Sequence, residues 1–187
     1  LDKSSAAVDV HVGSFHDPQD IFGVAHFLEH LLFMGTAKYP RENDYMEFLA
    51  AHGGQSNAFT DDEHTNYFFE VSADHFEPAL DRFAQFFVAP LFNEDGTQRE
   101  MQAVDSEHKK NVKDDMWRIH QLERNLSSPD HPYSHFGTGS SATLDKPGIR
   151  NVIVDFYNQH YSANIMKAVI YGKEPLEQLA EWAVEKL

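Results

Sequence analysis

The 187-residue chain contains no cysteine. That excludes disulfides and thiolate metal sites, so any bound metal must be held by imidazole and carboxylate, the donor set of catalytic more than of structural zinc. Basic residues are also scarce, 15 Lys and Arg against 30 Asp and Glu, for a net charge of −15. So acidic a surface repels a polyanion, which argues against nucleic acid as a partner. No apolar run reaches the roughly 18 residues a membrane span needs, and no signal-like opening of basic then apolar residues is present. No membrane partner is expected. The chain starts at Leu1-Asp2-Lys3 without an initiator Met, as an excerpt from a longer protein would.

Its length suits one domain with a sizeable core, 1–187, and 15 Phe supply the apolar bulk that a disordered chain lacks. Inside the helix-prone run Ala25 to Met34, the residues His26, Glu29 and His30 spell His-x-x-Glu-His. Positions i and i+4 of a helix lie about 40° apart on one face, so both imidazoles can reach one metal ion. Glu29 projects from the side of His26, where a carboxylate can touch a water on the metal without becoming a ligand. The order inverts the familiar His-Glu-x-x-His of zinc peptidases, and the segment reads as the zinc-bearing part of a metallopeptidase. With 12 histidines in the chain, chance alone gives such a triplet in roughly one chain in twenty, so the motif needs structural context. Two ordinary histidines on an amphipathic helix are the plain alternative, and a third ligand decides between them.

Alternating Val8, Val10 and Val12 predict a strand over Ser5 to Ser14, followed by the motif helix from Phe22 to Met34. Pro40 and Gly53-Gly54 bracket a helix from Arg41 to His52. Ser56 to Thr60 and His64 to Val71 read as a hairpin across an acidic turn. Asp74 to Val88 is helical, with Phe76, Leu80, Phe83 and Phe87 on one stripe. A helical block spans Gly96 to Leu126, with a break near Asn111 to Asp115. Ser127 to Lys146 reads as a long surface loop. Ile149 to His160 is helical, Asn164 to Tyr171 a strand, and Pro175 to Leu187 a last helix. Without regular βαβ alternation, this order predicts an α+β fold, an antiparallel or mixed sheet with helices packed on it.

Catalytic zinc held by two histidines needs a third protein ligand. Glu100, Asp105, Glu107 and His108 are the candidates in the helical block. Glu100 and Glu107, seven apart, share a face to within about 20°. One of the two can bind the metal while the other holds a ligand imidazole by hydrogen bond. Spacing alone does not say which, and a solvated charged face is the plain alternative.

The segments His26 to Thr36, Ser56 to Thr60, Glu63 to Tyr67, Asp81 to Phe87, Ala103 to His108 and Tyr161 to Lys167 closely resemble the pitrilysin family of inverted-zincin metallopeptidases, in its insulysin-like branch. The resemblance runs nearly end to end. It implies the family's processing-peptidase-like (LuxS-like) domain fold and one Zn²⁺ per domain, with Glu107 as the third ligand and Glu100 supporting a ligand histidine. Glu29 becomes the general base. Asn57, Ala58 and Phe59 match an edge strand to which an extended peptide substrate adds, and Trp117 matches a wall beyond the cleavage point. Phe59 and Trp117 have a structural alternative, as packing residues. His120 departs from the aromatic residue of relatives. The resemblance also implies peptide substrates, a C-terminal half of the same protein that completes the substrate chamber, a homodimer in the full-length protein, and a cytoplasmic location with periplasmic or organellar alternatives. A non-catalytic zinc-binding or partner-binding subunit of the same family is the second reading.

Overall fold

The computed structural model describes residues 2–187; Leu1, the first residue of the expected domain, lies outside them. Four strands, β1 (Lys3–Val10), β2 (Gln55–Thr60), β3 (Thr65–Ser72) and β4 (Met166–Tyr171), form one sheet in the order β2-β3-β1-β4. Every neighbouring pair is antiparallel, and β2 and β4 are the edges. The fold is α+β, as the element order predicts. Alternation sets the inner face: Ala6, Val8 and Val10 of β1 are buried and lie opposite Phe69, Tyr67 and Thr65 of β3. Tyr67 is in turn paired with Ala58 of β2.

Helices cover that face. α1 (Val24–Leu32), α2 (Asp44–Ala51) and α3 (Phe76–Val88) come before the break in the second helical block, which separates α4 (Glu94–Asn111) from α5 (Asp115–Leu126). The break lies where the sequence places it, and Asp114 caps α5 by accepting from the Met116 and Trp117 amides. α6 (Ser141–Leu144), α7 (Ile149–His160) and α8 (Leu176–Lys186) follow. The core joins Val8, Val10, Tyr67 and Phe69 of the sheet to Phe27, Leu31, Phe76, Phe83, Met101 and Ile153 of the helices. Among the described residues no helix is long and apolar enough to cross a membrane.

Two expectations need correction. The stripe of α3 is wider than expected: Phe86 is buried as well, while Phe87 packs against the core only partly buried. The segment 127–146 is not a surface loop throughout. Ser140 and Leu144 are buried, because the Asp105 carboxylate of α4 accepts from both the amide and the hydroxyl of Ser141 and draws α6 inward. Polar composition hid this contact.

Candidate active site

α1 starts at Gly23, whose φ of 91° is open to glycine at little cost. The Asp17 carboxylate caps the helix from outside, accepting from Gly23 N at 2.6 Å and Ala25 N at 2.8 Å. Burial of Val24, Ala25, Phe27, Leu28, Leu31 and Leu32 fixes the rotation of α1. His26 and His30 are thereby left on the face that looks across to α4, their rings edge to face with centroids 4.8 Å apart. In α4, Met101 and Val104 are the buried contacts, and Glu107 follows on the exposed side of that seam.

The three side chains converge. Glu107 Oε2 lies 3.6 Å from Nε2 of His26 and 3.6 Å from Nε2 of His30. One donor atom from each of the three falls within 4.8 Å of the others. A tetrahedral Zn²⁺ with bonds near 2.1 Å spaces its donors by roughly 3.4 Å, so the set fits with small adjustment. The other ring nitrogens are occupied. His26 Nδ1 is 2.6 Å from the Thr138 carbonyl, and His30 Nδ1 is 3.1 Å from Glu100 Oε2. Both partners are acceptors, so each Nδ1 carries a proton, and Nε2 is the nitrogen of each ring that faces Glu107 and would be free to bind a metal ion.

The electrostatics favour a cation here. Burial disfavours charge on His30, but its bonds to Glu100 and Glu107 outweigh this and push its pKa up to about 9. The bond to His30 holds Glu107 below the usual carboxylate range. Two carboxylates beside the imidazoles favour positive charge at this position. Glu29 is buried, and burial raises its pKa although the neighbouring His26 and a hydrogen bond from Thr60 pull the other way.

The structure thus brings together His26, His30, Glu107, Glu29 and Glu100. Asp105 faces Ser141 and Lys109, and His108 packs edge-on against Phe136 at 4.9 Å. The site opens into a cleft of about 1360 Å³ also lined by Asn57, Ala58, Phe59 and Trp117. Phe59 is 52 % exposed and Trp117 45 %, so neither serves as a core residue. Ala58 points inward with Ser56, while Asn57 and Phe59 point outward from the edge strand. Trp117 and His120 share one side of α5 at 6.2 Å.

Four contributors escape the sequence reading: Asp17, Thr60, Arg124 and Thr138. Buried Arg124 ties α5 to Asp62 at the hairpin tip and to the carbonyls of Tyr133 and His135. Only Thr138 carried a signal, its flanking Gly137 and Gly139.

Over residues 1–130 the chain matches the family model described as Insulinase (Peptidase family M16), and over residues 149–187 the model described as Peptidase M16 inactive domain. It is 53% identical to the insulin-degrading enzyme of Homo sapiens over 98% of this chain and 19% of that protein. Its identity to the A-factor-processing enzyme of Saccharomyces cerevisiae is 48%, over 98% of this chain and 18% of that protein. The crystal structure of pitrilysin superposes with a TM-score of 0.96 at 40% identity, covering 100% of this chain and 20% of that one. The chain therefore spans about a fifth of the length of these relatives.

Proposed function

The chain belongs to the insulinase family, peptidase family M16, and from that premise we propose that it carries the catalytic centre of a zinc metalloendopeptidase acting on short to medium peptides. The observation that carries the proposal is the convergence of His26 Nε2, His30 Nε2 and Glu107 Oε2, with the Glu29 carboxylate on the same helix. His26, His30 and Glu107 would hold one Zn²⁺. When bound, the ion supplies Lewis acidity toward water and toward the scissile carbonyl.

The remaining chemistry belongs to the chain. Glu29 takes a proton from the attacking water and returns it to the departing amine nitrogen. Its raised pKa suits both halves of that task. Glu100 and the Thr138 carbonyl keep the two imidazoles in the ligating tautomer. The free edge of β2 offers main-chain pairing to an extended peptide, affinity with little sequence demand, while Asn57, Phe59 and Trp117 bias the side chains accepted. The whole-protein expectations follow as proposals: a C-terminal half that completes the chamber, low peptidase activity of residues 1–187 alone, a homodimer, and a cytoplasmic location. A relative from Arabidopsis thaliana is named as peroxisomal, which keeps an organellar alternative open.

The second reading, a non-catalytic zinc-binding or partner-binding subunit, is disfavoured by the complete set of ligands beside Glu29. The segment matching the inactive-domain model, residues 149–187, contains none of these residues. Zinc stoichiometry and fluorogenic-peptide turnover, measured on wild type and Glu29→Gln of the full-length protein, separate the two. Glu29→Gln should keep its zinc and lose about 10²- to 10⁴-fold in turnover. Undiminished turnover, or a wild type that binds no zinc, would end the proposal.

A further inference from the structure

Among the described residues, the hydrogen-bond donor to the Glu29 carboxylate is the Thr60 hydroxyl, with Oγ1 2.5 Å from Oε2. Thr60 is the last residue of β2, on the inner side of the strand with Ser56 and Ala58. Its neighbour Thr65 lies opposite it in the ladder and gives its own hydroxyl proton to the Val12 carbonyl at 2.8 Å. The longer 3.4 Å approach of the two threonine oxygens therefore leaves the Thr60 proton for Glu29.

The backbone beyond Thr60 is clamped. Ser14 N donates to Asp61 O at 3.0 Å and Phe15 N to Asp62 O at 2.9 Å, while Arg124 holds the Asp62 side chain. A hydroxyl on so fixed a strand end can define where a carboxylate sits. Glu29 also receives direction from its own helix, but α1 fixes only its Cα, and the χ angles of a glutamate need a second anchor.

We infer that Thr60 is a positioning residue for Glu29, and that one strand thereby serves both to dock the peptide and to aim the base. The inference rests on the reading of Glu29 as general base and adds to it. A peptide added to the free edge of β2 pairs with the same backbone that carries Thr60. The reacting carbonyl and the tip of the carboxylate are then both referred to one strand, while α1 still sets the position of the Glu29 Cα. The strand end supplies geometry, and Glu29 alone handles the proton.

The test uses the full-length protein with a peptide substrate and zinc analysis of every variant. Thr60→Val, close to isosteric and at ease in a strand, should lower kcat on the order of 10- to 100-fold, with KM and zinc content unchanged. Thr60→Ser should restore most of the rate. In a Glu29→Gln background, Thr60→Val should cost nothing further, because the group it positions is gone. If Thr60→Val does not fold, Thr60→Ala removes the same hydroxyl without added bulk. A normal kcat for the hydroxyl-free variants, a Ser variant as poor as Val, parallel loss of zinc, or an undiminished penalty on Glu29→Gln would each overturn the inference. Full activity of Glu29→Gln alone would sink the general-base reading itself, whereas an inactive Glu29→Gln beside a normal Thr60→Val sinks only the role of Thr60.

Discussion

Gly23→Ala should uncouple His26, a proposed zinc ligand, from the loop that orients it. A Cβ built on Gly23 falls 2.2 Å from Gly139 Cα and 2.6 Å from Gly139 N, with Gly23 at φ +91°. No rotamer relieves a clash between backbones, so the 137–139 segment must retreat from the N-terminus of α1. The Thr138 carbonyl retreats with it and releases His26 Nδ1. Three costs add: about 1–2 kcal/mol for an L side chain in the left-handed region, about 1–3 for overpacking, and about 1 for the lost hydrogen bond. The sum is about 3–6 kcal/mol. Gly148 gives a matched control. It is also a helix N-cap, at φ +78° and with the same ψ of 13°, yet an added Cβ meets nothing within 4 Å. Gly148→Ala should therefore show the backbone strain alone, about 1–2 kcal/mol. Denaturant unfolding of both variants and competitive zinc titration make the comparison. Gly23→Ala should also bind zinc about 10- to 100-fold more weakly, the usual loss when a ligand histidine loses its orienting acceptor. Gly148→Ala should bind it normally. Equal stability of the two variants would refute the close-approach argument. A destabilised Gly23→Ala with unchanged zinc affinity would refute the link from Thr138 to His26.

Glu100→Ala should likewise weaken zinc binding about 10- to 100-fold, since His30 loses the acceptor that fixes its tautomer; zinc-buffer titration checks it. Arg124→Ala should destabilise the fold by roughly 2–4 kcal/mol, because the Asp62 carboxylate and the carbonyls of Tyr133 and His135 lose a largely buried donor. Chemical denaturation measures this, and Arg124→Lys should fall between, keeping the charge without the fork. Asp17 supplies a pH test. Burial pushes its pKa from 3.8 up to about 7 despite its amide donors, so between those values the folded chain holds a proton that the unfolded chain has released. Its contribution to stability must then fall as pH rises from about 4 to 7. Asp17→Asn should flatten that slope in unfolding curves taken across the range, and an unchanged slope would show that Asp17 titrates elsewhere.

The parts of the site legible in the sequence are those set by local periodicity. His26 and His30 share a face because four residues make about one helical turn, and the same arithmetic places Glu100 and Glu107 together. Spacing left open which glutamate ligates and which supports. That choice depends on the packing of α1 against α4, a contact across some seventy residues, and the resemblance to a known family had to supply it. Helix ends were legible to within a few residues: α1 runs Val24–Leu32 where Phe22 to Met34 was expected. At the N-terminus the difference arises at Gly23, whose positive φ starts the helix later than apolar patterning suggests. Thr138 acts through a backbone carbonyl, which no side-chain motif encodes. Thr60 acts through one hydrogen bond and Asp17 through two, across gaps in sequence that local patterning does not bridge.

The legible and illegible parts divide along a physical line. The faces of α1 and α4 that carry His26, His30 and Glu107 are set by burial of Leu28, Leu31, Leu32, Met101 and Val104, and apolar burial leaves a periodic trace in sequence. Trim of the site is set by groups outside that seam: Thr138 on His26, Thr60 on Glu29, and Arg124 holding the surrounding segments together. Loss of a seam residue opens a cavity that costs several kcal/mol in a marginally stable domain, so it removes fold and site together. Loss of a trimming group leaves the seam standing and degrades only angles and tautomers. Variants of Thr60 and Thr138 should therefore give graded losses in folded protein, while Leu28→Ala or Val104→Ala should lose zinc in step with unfolding. A seam variant that stays fully folded yet binds no zinc would show that the two roles are not separable along this line.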